Sequence, residues 1–322
     1  MLLAGLAAIV GLTVLIWGAR EFVLGASSTA SNLDVSPLVI GLTVVGFGTS
    51  SPEIFVSAIA VWQGNPGLSI GNAIGSNIAN IGLVIGATAL LTPLTVRSQT
   101  LKREFMVLFA VTIGVWVLLA DTWLGRGEGI MLLSGLCIVM TLMVRLALAA
   151  PARLDPLEQE YAHEIPTRLT ITQSLFRLGV GLFLLLLGSR VVVWGVTEIA
   201  LGLGVSDLVI GLTVVAVGTS LPELATSVAS VVKGEPDIAI GNLIGSNMFN
   251  LLAVLPIPAL VAPGALPAPV LDRDYPVMVA LSIALFAMAY GFRKPGRISR
   301  FEGAVLLVGF CAYQFVLYVS PQ

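Results

Sequence analysis

Apolar runs long enough to cross a bilayer alternate with short polar connections along this chain from end to end. At the ~20 residues that a hydrocarbon core requires, the pattern predicts ten membrane helices. They fall at residues 2–19, 36–62, 69–92, 103–120, 129–149, 172–195, 206–232, 239–262, 274–291 and 302–319. One sizeable polar stretch, PARLDPLEQEYAHEIPTRLT at 151–170, reads as a cytoplasmic linker between a half at 1–150 and a half at 171–322. Five is an odd number of crossings, so two similar halves enter the membrane from opposite sides. The expected fold class is therefore an all-α integral membrane protein of two inverted five-helix repeats.

The similarity of the halves is legible directly. IGLTVVGFGTSSPE and GNAIGSNIAN, within 40–80, recur as IGLTVVAVGTSLPE and GNLIGSNMFN within 210–250. The offset is 170 residues without a gap, and 27 of the 46 positions from Val35 to Asn80 are identical. The identities favour Gly, Thr, Ser, Pro, Glu and Asn, which chance does not repeat in an apolar chain. The repeat thus concentrates the polar atoms.

Composition and charge narrow the function. Of 322 residues, 57% are hydrophobic and 11% charged, and the net charge of −2 gives no basic face for nucleic acid. With the N-terminus outside, thirteen Lys and Arg fall on the inner side. Only Arg126, Arg190 and Arg273 stay outside, a positive-inside bias that predicts both termini outside. Residues 1–19 lack a basic leader and read as a first membrane helix instead of a removed signal. Cys137 and Cys311 lie in apolar runs and read as buried free thiols. Trp17, Trp62, Trp116, Trp123 and Trp194 read as interface anchors. Pro66 and Pro236 are expected to shape short connections.

Nearly all 18 acidic residues lie at span ends or in loops. Glu53 and Glu223 are the exceptions, at matching positions inside their spans and with no Lys or Arg at similar depth. A carboxylate there costs at least ~2.5–3.5 kcal/mol unless it faces a partner or a cavity. A cation or protons would neutralise the pair, and the neighbouring residues favour a cation. Thr49 shares a helix face with Glu53, Ser50 adds a hydroxyl, and Gly48 with Pro52 loosens the helix and frees carbonyls near Gly46, Phe47 and Thr49. Asn72, Ser76 and Asn80 are spaced by four, with Asn77 on a nearby face. The second copy supplies Thr219, Ser220, Glu223, Asn242, Ser246, Asn247 and Asn250. All-oxygen donors without His or Cys suit Ca²⁺ or Na⁺ and are poor for Zn²⁺ or Cu.

Paired GTSxPE and GNxIGSN motifs resemble the α-repeats of the cation/Ca²⁺ exchanger superfamily, in its bacterial and archaeal Na⁺/Ca²⁺ exchanger-like branch. The resemblance covers the whole chain and implies the sodium/calcium exchanger fold, with the first and sixth spans sliding across a fixed core. It implies Ca²⁺ held by the carboxylates of Glu53 and Glu223 and the carbonyls of Thr49 and Thr219. Na⁺ would use Ser50, Ser76, Ser220 and Ser246 with the same carboxylates, plus backbone oxygens near Gly46 and Ala216. Some relatives carry Asp where this chain has Asn250. Asn at both 80 and 250 argues against K⁺ dependence and leaves proton coupling open.

The reading that follows is a Ca²⁺/Na⁺ antiporter of a bacterial or archaeal cell membrane, with a Ca²⁺ or other divalent cation/H⁺ antiporter as the alternative. Ca²⁺, Na⁺ and lipid are the expected partners, with no cofactor and no obligate protein partner. An enzyme using Ser50 or Ser76 as nucleophile lacks a base in these spans, and no Gly-Lys-Ser/Thr loop suggests ATP. His163 and the run Glu158, Glu160, Glu164 read as solvated linker residues. The glycines of GNxIG fit close helix packing as readily as a site.

Overall fold

The computed structural model describes residues 1–33, 46–96, 99–149, 169–290 and 296–319. Residues 34–45, where the first repeat begins, lie outside them, as does the linker through Arg168 with His163 and its glutamates.

Helices dominate. They are α1 (Leu2–Asn32), α2 (Ser51–Trp62, preceded by a turn at Gly46–Thr49), α3 (Pro66–Leu91), α4 (Gln99–Leu118) and α5 (Arg126–Ala149). After the linker come α6 (Ile171–Leu203), α7 (Asp207–Lys233), α8 (Pro236–Val261), α9 (Tyr275–Tyr290) and α10 (Arg300–Val319). Among the described residues, seven of these are long and apolar enough to cross a membrane: α1, α3, α5, α6, α7, α8 and α10. Two short antiparallel ladders join the connections, β1 (Leu94–Val96) with β4 (Gly296–Ile298), and β2 (Trp123–Leu124) with β3 (Gly264–Ala265). Each ladder pairs one strand from before the linker with one from after it.

Sequence punctuation explains the boundaries. Pro66 and Pro236 open α3 and α8 from within the first helical turn, where a missing N–H is harmless. Gly64 and Gly234, at φ +85° and +87°, end the preceding helices in the left-handed region that glycine tolerates. The two Pro thus start helices as well as shaping the turns before them.

The long helices α1 and α6 form an antiparallel pair. Gly11, Gly18 and Gly25 on one and Gly181, Gly188 and Gly195 on the other recur every seven residues and meet facing backbone. A Cβ at Gly188 would stand 2.8 Å from the Leu15 nitrogen and 3.0 Å from the Gly11 oxygen. Without hydrophobic drive between helices in lipid, such close backbone approach is what holds a pair together. At 1.5 Å per residue α1 extends about 46 Å, well over a ~30 Å hydrocarbon core.

Several expectations need correction here. The first and sixth helices run to Asn32 and Leu203, beyond the predicted ends at 19 and 195. Arg20, Glu21 and Arg190 therefore lie inside helices instead of at span ends. Glu21 accepts an ion pair from Arg177 at 2.7 Å, which lets both charges remain on the helix surface. Trp17 and Trp194 sit within α1 and α6, and only Trp62, Trp116 and Trp123 flank helix ends. Cys137 and Cys311 are free but exposed. An apolar run in a membrane helix faces lipid as readily as the core, so hydropathy does not imply burial.

The core lies around α3 and α8, whose apolar faces share one buried cluster that includes Ile74, Ile78, Leu243 and Ile244. Gly71 on α3 and Gly211 on α7 let the two helices touch, and Gly75 abuts Ala216 in the same contact. Peripheral polar groups anchor the rest. Asp274 accepts from Arg273 at 2.6 Å and from the Tyr313 hydroxyl at 2.9 Å, tying the start of α9 to α10. The Tyr275 hydroxyl donates to the Thr112 carbonyl on α4 at 2.7 Å.

Gly188→Leu should force α1 and α6 apart, at an overpacking cost of about 1–3 kcal/mol. Gly5→Leu, where a Cβ meets nothing within 4 Å, should stay within about 0.5 kcal/mol of the parent. Thermal unfolding of the detergent-solubilised protein checks the difference, and equal losses would count against the glycine seam.

Candidate cation site

Both halves break a helix at the same place. At Ser50 and Ser220 the backbone leaves helical geometry (φ −83°, ψ 2° and φ −82°, ψ 0°), and a proline follows two residues later. Each break starts a new helical segment whose first turn contains a glutamate, Glu53 at the start of α2 and Glu223 at the start of the second part of α7 (Leu221–Lys233). Free N–H groups and the positive end of the helix dipole there favour a carboxylate. The carbonyls at the break are partly engaged. Gly46 accepts from the Ser50 amide and the Thr49 hydroxyl, and Ala216 accepts from the Ser220 amide. Gly48 accepts from the Ser51 hydroxyl at 2.6 Å, an arrangement the second copy lacks because Leu221 stands there.

The helices α3 and α8 bring the asparagines and serines against these breaks. All fourteen predicted site residues are buried. Most of their hydrogen bonds cross between the halves. The Thr49 hydroxyl donates to the Asn242 oxygen at 2.9 Å, and its counterpart Thr219 donates to the Asn72 oxygen at 3.2 Å. The Asn80 amide donates to the Asn247 oxygen at 3.1 Å, and its counterpart Asn250 donates to the Asn77 oxygen at 3.3 Å. Each pair of bonds is related by the 170-residue offset, so the polar network itself has a two-fold character. Serines join it: Ser50 donates to Ser246 at 2.9 Å, and Ser246 donates to Glu223 at 3.0 Å. Ser76 lies 3.4 Å from the Thr219 hydroxyl and donates to Asn72 at the same distance.

The oxygens that find no hydrogen-bond donor in the protein define the chemistry. At this site they are, among the described residues, both carboxylate oxygens of Glu53, Oε2 of Glu223, the amide oxygens of Asn80 and Asn250, and Oγ of Ser220. Elsewhere in the bundle some hydroxyls, such as those of Thr29, Thr112 and Ser282, donate to the carbonyl one turn back, whereas those of Ser27, Ser28, Ser69 and Thr88 are buried without a partner but carry no charge. A buried acceptor without a donor costs about 1–3 kcal/mol, more when charged. No basic side chain among the described residues is bonded to the two carboxylates, and such a set of acceptors has the chemistry that a cation would satisfy. Among the described residues no three His, Cys, Asp or Glu gather into a metal cluster. The donors are thus two carboxylates among neutral oxygens, a hard-cation set.

Reading the motifs alone missed Ser57. Its hydroxyl accepts from the Asn72 amide at 2.9 Å, and the same amide donates to the Glu53 carbonyl at 3.1 Å. The signal was present in the sequence, since Ser57 and Ser227 both lie four residues after a glutamate. The two halves differ here. In the second, the Asn242 amide and the Ser227 hydroxyl are buried without partners.

The sodium/calcium exchanger protein family matches residues 3–145 and 173–319. CaxA of Alkalimonas amylolytica is 50% identical over 320 residues, covering 99% of this chain and all of that protein. The inner membrane protein YrbG of Escherichia coli is 40% identical, over 100% of this chain and 99% of its own. A solved structure of the sodium-calcium exchanger NCX_Mj, soaked with Na⁺ and Ca²⁺, superposes with a TM-score of 0.69. It is 33% identical over the full length of both chains.

Ser57→Ala should leave one of the two buried Asn72 N–H groups without its acceptor, the other keeping the Glu53 carbonyl, and destabilise the protein by about 1–3 kcal/mol. Ser227→Ala removes a hydroxyl that has no partner and should cost less than about 0.5 kcal/mol. Thermal unfolding distinguishes the two, and equal effects would contradict the asymmetry.

Proposed function

The chain belongs to the sodium/calcium exchanger protein family, and on that premise we propose that it is a secondary antiporter exchanging Ca²⁺ for Na⁺ by alternating access. The observation that carries this reading is the set of donor-less oxygens contributed by both halves around Glu53 and Glu223. Two carboxylates balance the charge of one Ca²⁺, and the neutral amide and hydroxyl oxygens fill out the six to eight ligands that Ca²⁺ usually takes. With Ca²⁺ gone, Ser50, Ser76, Ser220 and Ser246 supply hydroxyl oxygens suited to Na⁺ beside the same carboxylates. Because both ions draw on one carboxylate pair, they compete for it, and that competition is what couples their movements.

The fold is read as ten spans in two inverted halves, with the twelve-residue α2, the twenty-residue α4 and the sixteen-residue α9 counted beside the seven long apolar helices. Both termini are placed outside, from the distribution of basic residues in the sequence. The membrane is taken to be a cell or inner membrane, as for the inner membrane protein YrbG. The cross-half hydrogen bonds at equal offset support the inverted arrangement, since a two-fold site at a repeat interface is where secondary transporters bind substrate.

Glu53→Gln and Glu223→Gln should each abolish exchange while the proteins insert and purify normally, because each removes one of the two charges that balance Ca²⁺. Near-normal transport by both variants would overturn the site. Uptake of ⁴⁵Ca²⁺ into proteoliposomes decides the coupling ion. Uptake driven by an outward Na⁺ gradient and insensitive to a protonophore is the expected result. Uptake driven only by an outward H⁺ gradient would keep the site and reassign the exchange to Ca²⁺/H⁺.

A further inference from the structure

We propose that Asn77 and Asn247 are positioning residues, which hold the side-chain oxygens of Asn250 and Asn80 toward the cation and do not themselves ligate it. The inference rests on the cation-site reading above and assigns different roles within the asparagine quartet. An asparagine side chain has one oxygen acceptor and one NH₂ donor on opposite sides of the same plane. Rotation by half a turn exchanges them, and a cation that meets the NH₂ face is repelled. An asparagine ligand therefore needs something to fix which face it presents.

The quartet supplies this. The Asn250 NH₂ donates to the Asn77 oxygen at 3.3 Å, and the Asn80 NH₂ donates to the Asn247 oxygen at 3.1 Å. In both cases the donor side is committed across the halves, and the oxygen of the same residue is left buried without a donor. The oxygens of Asn77 and Asn247 are occupied by these bonds. Asn77 is oriented in turn, because its own NH₂ meets the Met278 sulfur on α9 at 3.5 Å. The order is thus Met278 to Asn77 to Asn250, and only the last oxygen is free.

The two arms are not equally secured. Asn80 also donates to the Ser246 hydroxyl oxygen at 3.2 Å, and that hydroxyl gives its own proton to Glu223. Asn80 thus keeps its orientation if Asn247 is lost. Asn250 has Asn77 as its acceptor and, among the described residues, no second one. Asn77→Ala should therefore weaken Ca²⁺ binding more than Asn247→Ala does.

The test is equilibrium ⁴⁵Ca²⁺ binding to purified variants, with Ca²⁺ KM and kcat for exchange measured in proteoliposomes. Asn77→Ala should raise the dissociation constant and KM about tenfold, the scale of one hydrogen bond, with kcat little changed. In an Asn250→Asp background the same Asn77→Ala change should cost less than about twofold. A carboxylate presents oxygen on either side and has no wrong face to turn inward. A merely structural role for Asn77 would give the same loss in both backgrounds and would overturn the proposal, as would unaltered binding in Asn77→Ala. Should Glu53→Gln abolish binding while Asn77→Ala leaves it intact, the cation site would stand and the positioning role alone would fall. Should Glu53→Gln bind Ca²⁺ normally, the site reading itself would fail.

Discussion

Glu53 and Glu223 are buried and, among the described residues, three of their four carboxylate oxygens lack a donor and no basic side chain is bonded to them. Burial of a charged group at membrane depth costs ~2.5–3.5 kcal/mol or more per residue, and packing of apolar side chains does not recover it. On the proposed reading, the charge that arrives with the transported ion offsets this penalty. Much of the surrounding structure serves to keep those oxygens in place and turned inward. The breaks at Ser50 and Ser220 set each glutamate in the first turn of a helix, where free amides and the dipole lower the cost of its charge. The crossed threonine–asparagine bonds then lock the two broken helices to the two asparagine-bearing ones.

A repeated motif gives such a site its economy of design. One solution to the problem of burying a carboxylate, a proline-broken helix facing an asparagine-rich one, is used twice and placed face to face. Small residues make the approach possible. Gly71 and Gly211 meet with no room for a Cβ on either side, which brings α3 and α7 close enough for Thr219 to reach Asn72. The same logic operates at a distance in the glycine seam between α1 and α6. There the helices touch through backbone, with Leu15, Leu185 and Val192 packed in one buried cluster beside the contact.

The polar residues of the site were legible because polarity stands out against an apolar chain. Glu53, Asn72, Thr219 and their partners differ from their surroundings in kind, and repetition at a fixed offset separates them from chance. The elements that escaped are those written in the same apolar alphabet as everything around them. Glycines at 11, 18 and 25 recur at 181, 188 and 195 at the same 170-residue offset, yet in a run of Leu, Val and Ala they carry no obvious message. Helix length was misjudged for a related reason. Arg20 and Glu21 look like the end of a membrane span, whereas a partner on the neighbouring helix allows the helix to continue through them. The exposed cysteines show the limit of hydropathy as a guide to burial, since lipid and protein core select for the same residues.

The ion pair between Glu21 and Arg177 has no image in the other copy. The positions related to it by the repeat offset are Val191 and Ala7, which can form no such bond. The polar network is close to two-fold. Among the described residues, however, the side-chain bonds between the two long helices that flank it, which join Glu21 to Arg177 and Asn32 to Ser174, gather at one end of the glycine seam. The two faces of the molecule are therefore chemically distinct. Ion gradients alone decide which way net exchange runs, whereas the rates of the forward and reverse cycles need not match. A one-sided tie of this kind gives a symmetric carrier the physical means to act as a rectifier.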